Sequence, residues 1–144
     1  MWTLERMVAN GDRCPAMQNL GLRWQNRLKD GSFRYTTHRY WTSPLDFAAM
    51  PELCPELYNQ LTQADLLVFK GDLNYRKLVG DLAWPATASF ERALRGFCPA
   101  PLVALRVCKS DVTVGLLSEA AERLTSSQPD WMVLGKYAVI QTSL

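Results

Sequence analysis

Metal-ligating side chains are scarce in this chain. Of 144 residues one is a histidine, His38, and the four cysteines, Cys14, Cys54, Cys98 and Cys108, lie far apart with no CxxC pair. That spacing argues against a structural zinc site. His38 sits among aromatic residues without an HxH or HExxH partner and reads as a packed or surface imidazole. Among the cysteines only Cys108, beside Arg106 and Lys109, has neighbours that would favour its thiolate. An excess of one charge is lacking too: 16 basic residues face 14 acidic ones. No broad electrostatic footprint for nucleic acid or an anionic membrane results, so any phosphate recognition has to be local. No apolar run approaches the roughly 18 residues of a membrane span. The opening "MWTLERMVANGDRC" carries Glu5 and has no continuous apolar region, so it does not read as a signal peptide. These absences lead us to expect an intracellular, cytoplasmic or also nuclear protein with reduced cysteines and neither nucleic-acid nor membrane partners.

With 48% hydrophobic residues the chain has enough apolar material for one core, and residues 1–144 are expected to form a single domain. Helical spacing runs through Leu4, Met7 and Val8 over residues 3–9, and through Met17, Leu20, Trp24 and Leu28 over residues 16–29. The segment "NGDRCP" separates the two helices. Residues 31–44 alternate through Phe33, Tyr35 and Thr37, which predicts a strand and then a turn into Pro44. Pro55 opens a helix over 55–64, and "DLLVFK" is a short apolar burst of the kind that forms a strand buried on both faces. Helices over 88–97 and 119–127 and strands over 101–107 and 137–142 complete the pattern. Strands alternating with helices predict an α/β fold, a three-layer arrangement with a mostly parallel sheet flanked by helices.

Each apolar strand meets charge at one end. "LLVFK" runs into Gly71 and Asp72, "VALRV" into Arg106 and Lys109, and the last strand is preceded by Gly135 and Lys136. In an open α/β sheet, ligands bind beyond the carboxyl ends of the strands. If the strands are neighbours, Asp72, Arg106 and Lys109 converge on one rim, with Lys136 reaching it from a flanking loop. One carboxylate among several cations is the composition of a site for a metal ion and a phosphorylated ligand. The plainer readings stand beside this one. Asp72 is placed to cap a helix beginning near Leu73, the commoner role for aspartate in an isolated "KGDLN". Lys136 alone is a solvated charge. Arg106 lies inside an apolar run and needs a partner, for instance Asp111.

The stretches "YWTSPLDFAAMPELCPELY", "ADLLVFKGDLNYRKLVGD", "GFCPAPLVALRVCKSDVTVGL" and "PDWMVLGKYAVIQ" together resemble the C-terminal part of the metal-dependent damage-control phosphatases. The match is to the subfamily also described as acidic-residue (protein-glutamate) methyltransferases. The resemblance implies a mixed α/β domain that uses a divalent metal, manganese or nickel and alternatively cobalt or magnesium, to hydrolyse sugar phosphates such as fructose 1-phosphate or fructose 6-phosphate. It implies that Asp72 is the metal ligand and catalytic carboxylate, either through a metal-bound water or as a nucleophile. It further implies that Arg106, Val107, Cys108, Lys109 and Ser110 grip the substrate and that Lys136 contacts its phosphate; Lys70 and Asn74, beside Asp72 in the sequence, are secondary candidates.

The chain departs from that pattern in one respect. The family's second metal-binding element, an Asp-Asn-x-Gly-x-Glu segment, has no counterpart, because no Asp-Asn dipeptide occurs here. The expectation is therefore a truncated C-terminal phosphatase domain with an exposed sheet edge, a partly uncovered apolar face and weak or no activity alone. Two alternatives remain open. One is an S-adenosylmethionine-dependent glutamate methyltransferase, against which stands the lack of a glycine-rich loop after a strand. The other is a non-catalytic module that binds a protein partner through its exposed edge.

Overall fold

The computed structural model describes residues 2–10 and 13–144. It divides into two compact units, Met1–Thr42 and Ser43–Leu144. The first is a helical pair, α1 (Trp2–Ala9) and α2 (Pro15–Lys29), where the helical spacing places them; the separator "NGDRCP" includes residues 11 and 12, which lie outside the described residues. Pro15 starts α2, where its missing N–H costs nothing. Gly21 lets the helices approach closely: a Cβ there would stand 3.0 Å from Met7 Cβ and Val8 Cγ2. The strand expected over 31–44 is absent; the backbone is irregular and ends in a 3₁₀ turn, Arg39–Thr42. Alternation alone makes no strand where the unit offers no second strand to pair with, and Phe33 and Tyr35 are exposed.

The second unit is mixed α/β, as expected. A 3₁₀ turn at Phe47–Ala49 leads into α3 (Met50–Leu53) and α4 (Pro55–Leu61). These are followed by β1 (Leu67–Lys70), α5 (Asp72–Val79), α6 (Phe90–Ala93), β2 (Leu102–Val107), α7 (Ser118–Ser127) and β3 (Ala138–Ser143). The sheet order is β1-β2-β3. β1 and β2 are parallel, with Phe69 beside Ala104, while β3 runs antiparallel to β2, with Val107 beside Ala138. A third parallel strand would need a crossover to the far end of the sheet. Residues 108–137 instead leave and return at one end, where the Cys108 N–H donates to the Tyr137 carbonyl (2.8 Å) and the Gly135 N–H to the Cys108 carbonyl (2.9 Å).

The core lies on one side of the sheet. The rings of Phe47, Phe69 and Phe97 meet with centroids 5.2 to 5.9 Å apart, and Leu78, Val79 and Leu102 are fully enclosed. The opposite side is open: Val68 is 58%, Val107 43% and Ile140 76% exposed. β1 is therefore buried on one face, where the apolar burst "DLLVFK" suggested two, because no layer covers the second.

Candidate functional site

The antiparallel course of β3 brings all three polar strand ends to one rim. Gly71 turns β1 into α5 with φ 101° and ψ 164°, a region open in practice only to glycine. Its N–H donates to the Leu105 carbonyl at 2.8 Å, which fixes the turn against β2. Asp72 is the first residue of α5, one position after the N-cap, which is Gly71. Its carboxylate points at β2, where Arg106 Nε donates to Oδ1 at 2.8 Å and Ser110 Oγ donates to the same oxygen at 3.1 Å. The capping role is thereby replaced by an ion pair, and the partner of Arg106 is Asp72 and not Asp111.

Arg106 is enclosed. Nη1 donates to the Val112 carbonyl and to Thr113 Oγ1 (2.9 Å), and Nη2 to the Ser110 carbonyl (3.0 Å) and Ser110 Oγ (2.9 Å). Its side chain is 0% exposed against 22% for Asp72. A charge buried inside a strand persists because it is paired and every donor is met.

A cleft of about 380 Å³ opens along this rim, lined among others by Lys70, Gly71, Asp72, Val107, Lys109 and Ile140. Lys70 and Lys109 are exposed, and the Lys109 stem runs over Gly135, whose built Cβ would lie 3.8 Å from Lys109 Cε. The expected site residues thus divide. Lys70, Asp72, Arg106, Val107 and Lys109 line the cleft. Ser110 reaches it only through Asp72, Asn74 turns its Nδ2 to the Lys70 carbonyl (2.8 Å), and Cys108 is buried. Lys136 shares the rim through its backbone neighbours but does not line the cleft, and it is exposed.

Two residues that sequence reasoning passed over complete the arrangement. The Tyr75 ring lies against the Arg106 guanidinium, 4.4 Å from centroid to Cζ, and the Tyr75 hydroxyl donates to Gln141 Oε1 at 2.8 Å. Tyr75 follows Asp72 by three positions, so both lie on one face of α5; that spacing is the only local signal for it.

The donor set does not by itself fit a divalent cation. Oδ1 of Asp72 is occupied by Arg106 and Ser110. Among the described residues Asp72 belongs to no group of three His, Cys, Asp or Glu side chains with ligand atoms in common reach. A hard cation takes six or more oxygens, several of them from protein in a dedicated site.

The family model of the damage-control phosphatase ARMT1-like domain matches residues 1–124. The chain belongs to that family. Three relatives, each named damage-control phosphatase ARMT1, align along nearly all of it. The one from Danio rerio is 46% identical over 142 residues, 99% of this chain and 31% of that protein. The one from Xenopus laevis is 44% identical over 142 residues, again 99% of this chain, and 32% of that protein. The Homo sapiens relative is 41% identical over 140 residues, 97% of this chain and 31% of that protein. The chain thus spans about a third of the length of the curated relatives it matches. The ARMT1-like match ends before β3, whereas the alignments with the relatives run through nearly the whole chain.

Proposed function

We propose that this chain is the phosphate-gripping part of a damage-control phosphatase and that its rim cleft takes a sugar phosphate monoester, with fructose 1-phosphate or fructose 6-phosphate as the class of ligand. One observation carries the reading: a single oriented carboxylate, Asp72, faces a cleft flanked by two exposed ammonium groups, Lys70 and Lys109. Lysine suits phosphate oxygens, which prefer charged donors, and Gly71, with no side chain, leaves room for their close approach. The apolar floor of Leu105, Val107 and Ile140 offers contact to the carbon skeleton of a sugar. Lys136, on the same rim, adds a long-range positive field.

Asp72 keeps one oxygen clear of the Arg106 and Ser110 bonds, and that oxygen is the group this chain brings to the chemistry. Among the described residues Asp72 is the one carboxylate that lines the cleft, so a divalent cation, manganese or nickel as the resemblance implies, would have that single acidic side chain of the lining to hold it. Hydrolysis by this chain alone is accordingly expected at background.

Calorimetric titration of the chain with fructose 1-phosphate tests the reading. Lys109→Ala is expected to weaken binding about tenfold, the factor given by losing one charged hydrogen bond of roughly 1.5 kcal/mol. Unchanged affinity in that variant would move the ligand away from the rim. In a phosphate-release assay with manganese, turnover above background that disappears in Asp72→Asn would show a complete catalytic site and contradict the donor set described above.

A further inference from the structure

A phosphate ligand in the cleft finds no free donor on Arg106. All five of its N–H bonds end on atoms of this chain: Asp72 Oδ1, the Val112 carbonyl, Thr113 Oγ1, the Ser110 carbonyl and Ser110 Oγ. The Tyr75 ring closes one face of the guanidinium. The Tyr75 hydroxyl is held in turn, donating to Gln141 Oε1 and accepting from the Val114 N–H at 3.1 Å. Gln141 Nε2 completes the ring of bonds by donating to the Val114 carbonyl at 2.6 Å. These contacts join α5, β3 and the 110–114 loop, which carries four of the five acceptors of Arg106. Tyr75 and Gln141 do not line the cleft.

A planar cation stacked on a ring, with each donor met, has one orientation available. Any rotation leaves a buried charged donor without its acceptor, which is more costly than the loss of an exposed bond. Gln141 is the only polar side chain of β3 that reaches Tyr75 in the hydrogen bonds of the described residues.

We propose that Arg106 is a positioning residue and that Tyr75 and Gln141 are further positioning residues behind it. Gln141 holds the phenol, the phenol ring holds the guanidinium plane, and the guanidinium sets the Asp72 carboxylate and the Ser110 loop at the cleft. Direct contact with the ligand phosphate then falls to the ammonium groups of Lys109 and Lys70, since the Gly71 N–H is itself taken by the Leu105 carbonyl. This assignment rests on the ligand cleft proposed above.

The test is nuclear magnetic resonance of the whole chain, following the Arg106 side-chain Nε–H signal and the backbone amides, with inorganic phosphate as the probe. In the native chain the Arg106 Nε–H is expected to exchange slowly with solvent and to stay in place while phosphate shifts the amides of Gly71 and Lys109. Gln141→Met is expected to speed that exchange about tenfold, the effect of losing one hydrogen bond, with the amides of Phe69 and Ala104 unchanged. Tyr75→Phe, which keeps the ring, is expected to give a smaller increase and serves if the first variant does not fold. A phosphate-induced shift at Arg106 Nε–H as large as that at Lys109 would overturn the assignment. Equal acceleration at Phe69 and Ala104 would also overturn it, since a merely structural pair loosens the whole core. If phosphate moves no rim amide, the cleft reading falls, and the exchange measurements alone uphold or overturn the positioning chain.

Discussion

A guanidinium inside an apolar strand survives only with its donors satisfied, and Arg106 meets that condition through Asp72, Ser110, Val112 and Thr113. Arg106→Met leaves the loop carbonyls without their donor and the Asp72 charge with the Ser110 hydroxyl but no cation. It is expected to cost about 3–5 kcal/mol, read as a lower urea midpoint. Lys109→Ala removes an exposed charge and is expected to stay within about 0.5 kcal/mol; equal losses would show that the buried pair carries no special share of stability. Tyr75 adds a pH dependence. Burial pushes its phenol above the ordinary tyrosine value, more than the Val114 N–H and Arg106 pull it down. In the window between the ordinary value of about 10 and the raised folded one, the folded chain holds a proton that the unfolded chain has lost. This contribution to stability is therefore complete below about pH 10 and is lost as pH rises through the folded value. Ultraviolet titration is expected to find one of the five tyrosines ionising last, a step that Tyr75→Phe removes; coincident ionisation of all five would contradict it.

Among the elements, the turn from β1 to α5 decides where Asp72 points. A Cβ at Gly71 meets nothing within 4 Å, so Gly71→Ala carries no clash and its cost is the backbone conformation alone, about 1–3 kcal/mol. Thermal unfolding should show that loss, and weaker fructose 1-phosphate binding should accompany it as Asp72 turns away. A variant as stable as the native chain would mean that the turn relaxes freely. Much of this level was legible in the sequence, because its signals are local. Helical spacing marks α2, apolar bursts mark β1, β2 and β3, and glycine with aspartate after "LLVFK" marks the rim. What was not legible depends on partners remote in the chain. Phe33 and Tyr35 alternate like a strand but have none to pair with, and the direction of β3 follows from where residues 108–137 return. Asp72 lies 34 positions from Arg106 and Tyr75 66 positions from Gln141, so the sequence held the charged groups of the rim in view but not the network behind them.

At the scale of the whole molecule, the second unit leaves one face of its sheet open, with Val68, Val107 and Ile140 in solvent. Exposed apolar surface of this kind promotes association. Ile140→Lys is expected to raise solubility, measured as the concentration at which light scattering begins, while stability stays within about 0.5 kcal/mol; unchanged solubility would mean that the face is not the adhesive one. The same open face borders the cleft, so the apolar floor of Leu105, Val107 and Ile140 joins the polar rim in a single surface. Mapping fructose 1-phosphate onto the chain by amide chemical shifts tests the central claim most directly. Perturbations confined to Gly71, Asp72, Lys109 and Ala138, and weakened together by Lys109→Ala, are the predicted result. Perturbations scattered over other surfaces, or none at millimolar ligand, would contradict a phosphate-binding rim.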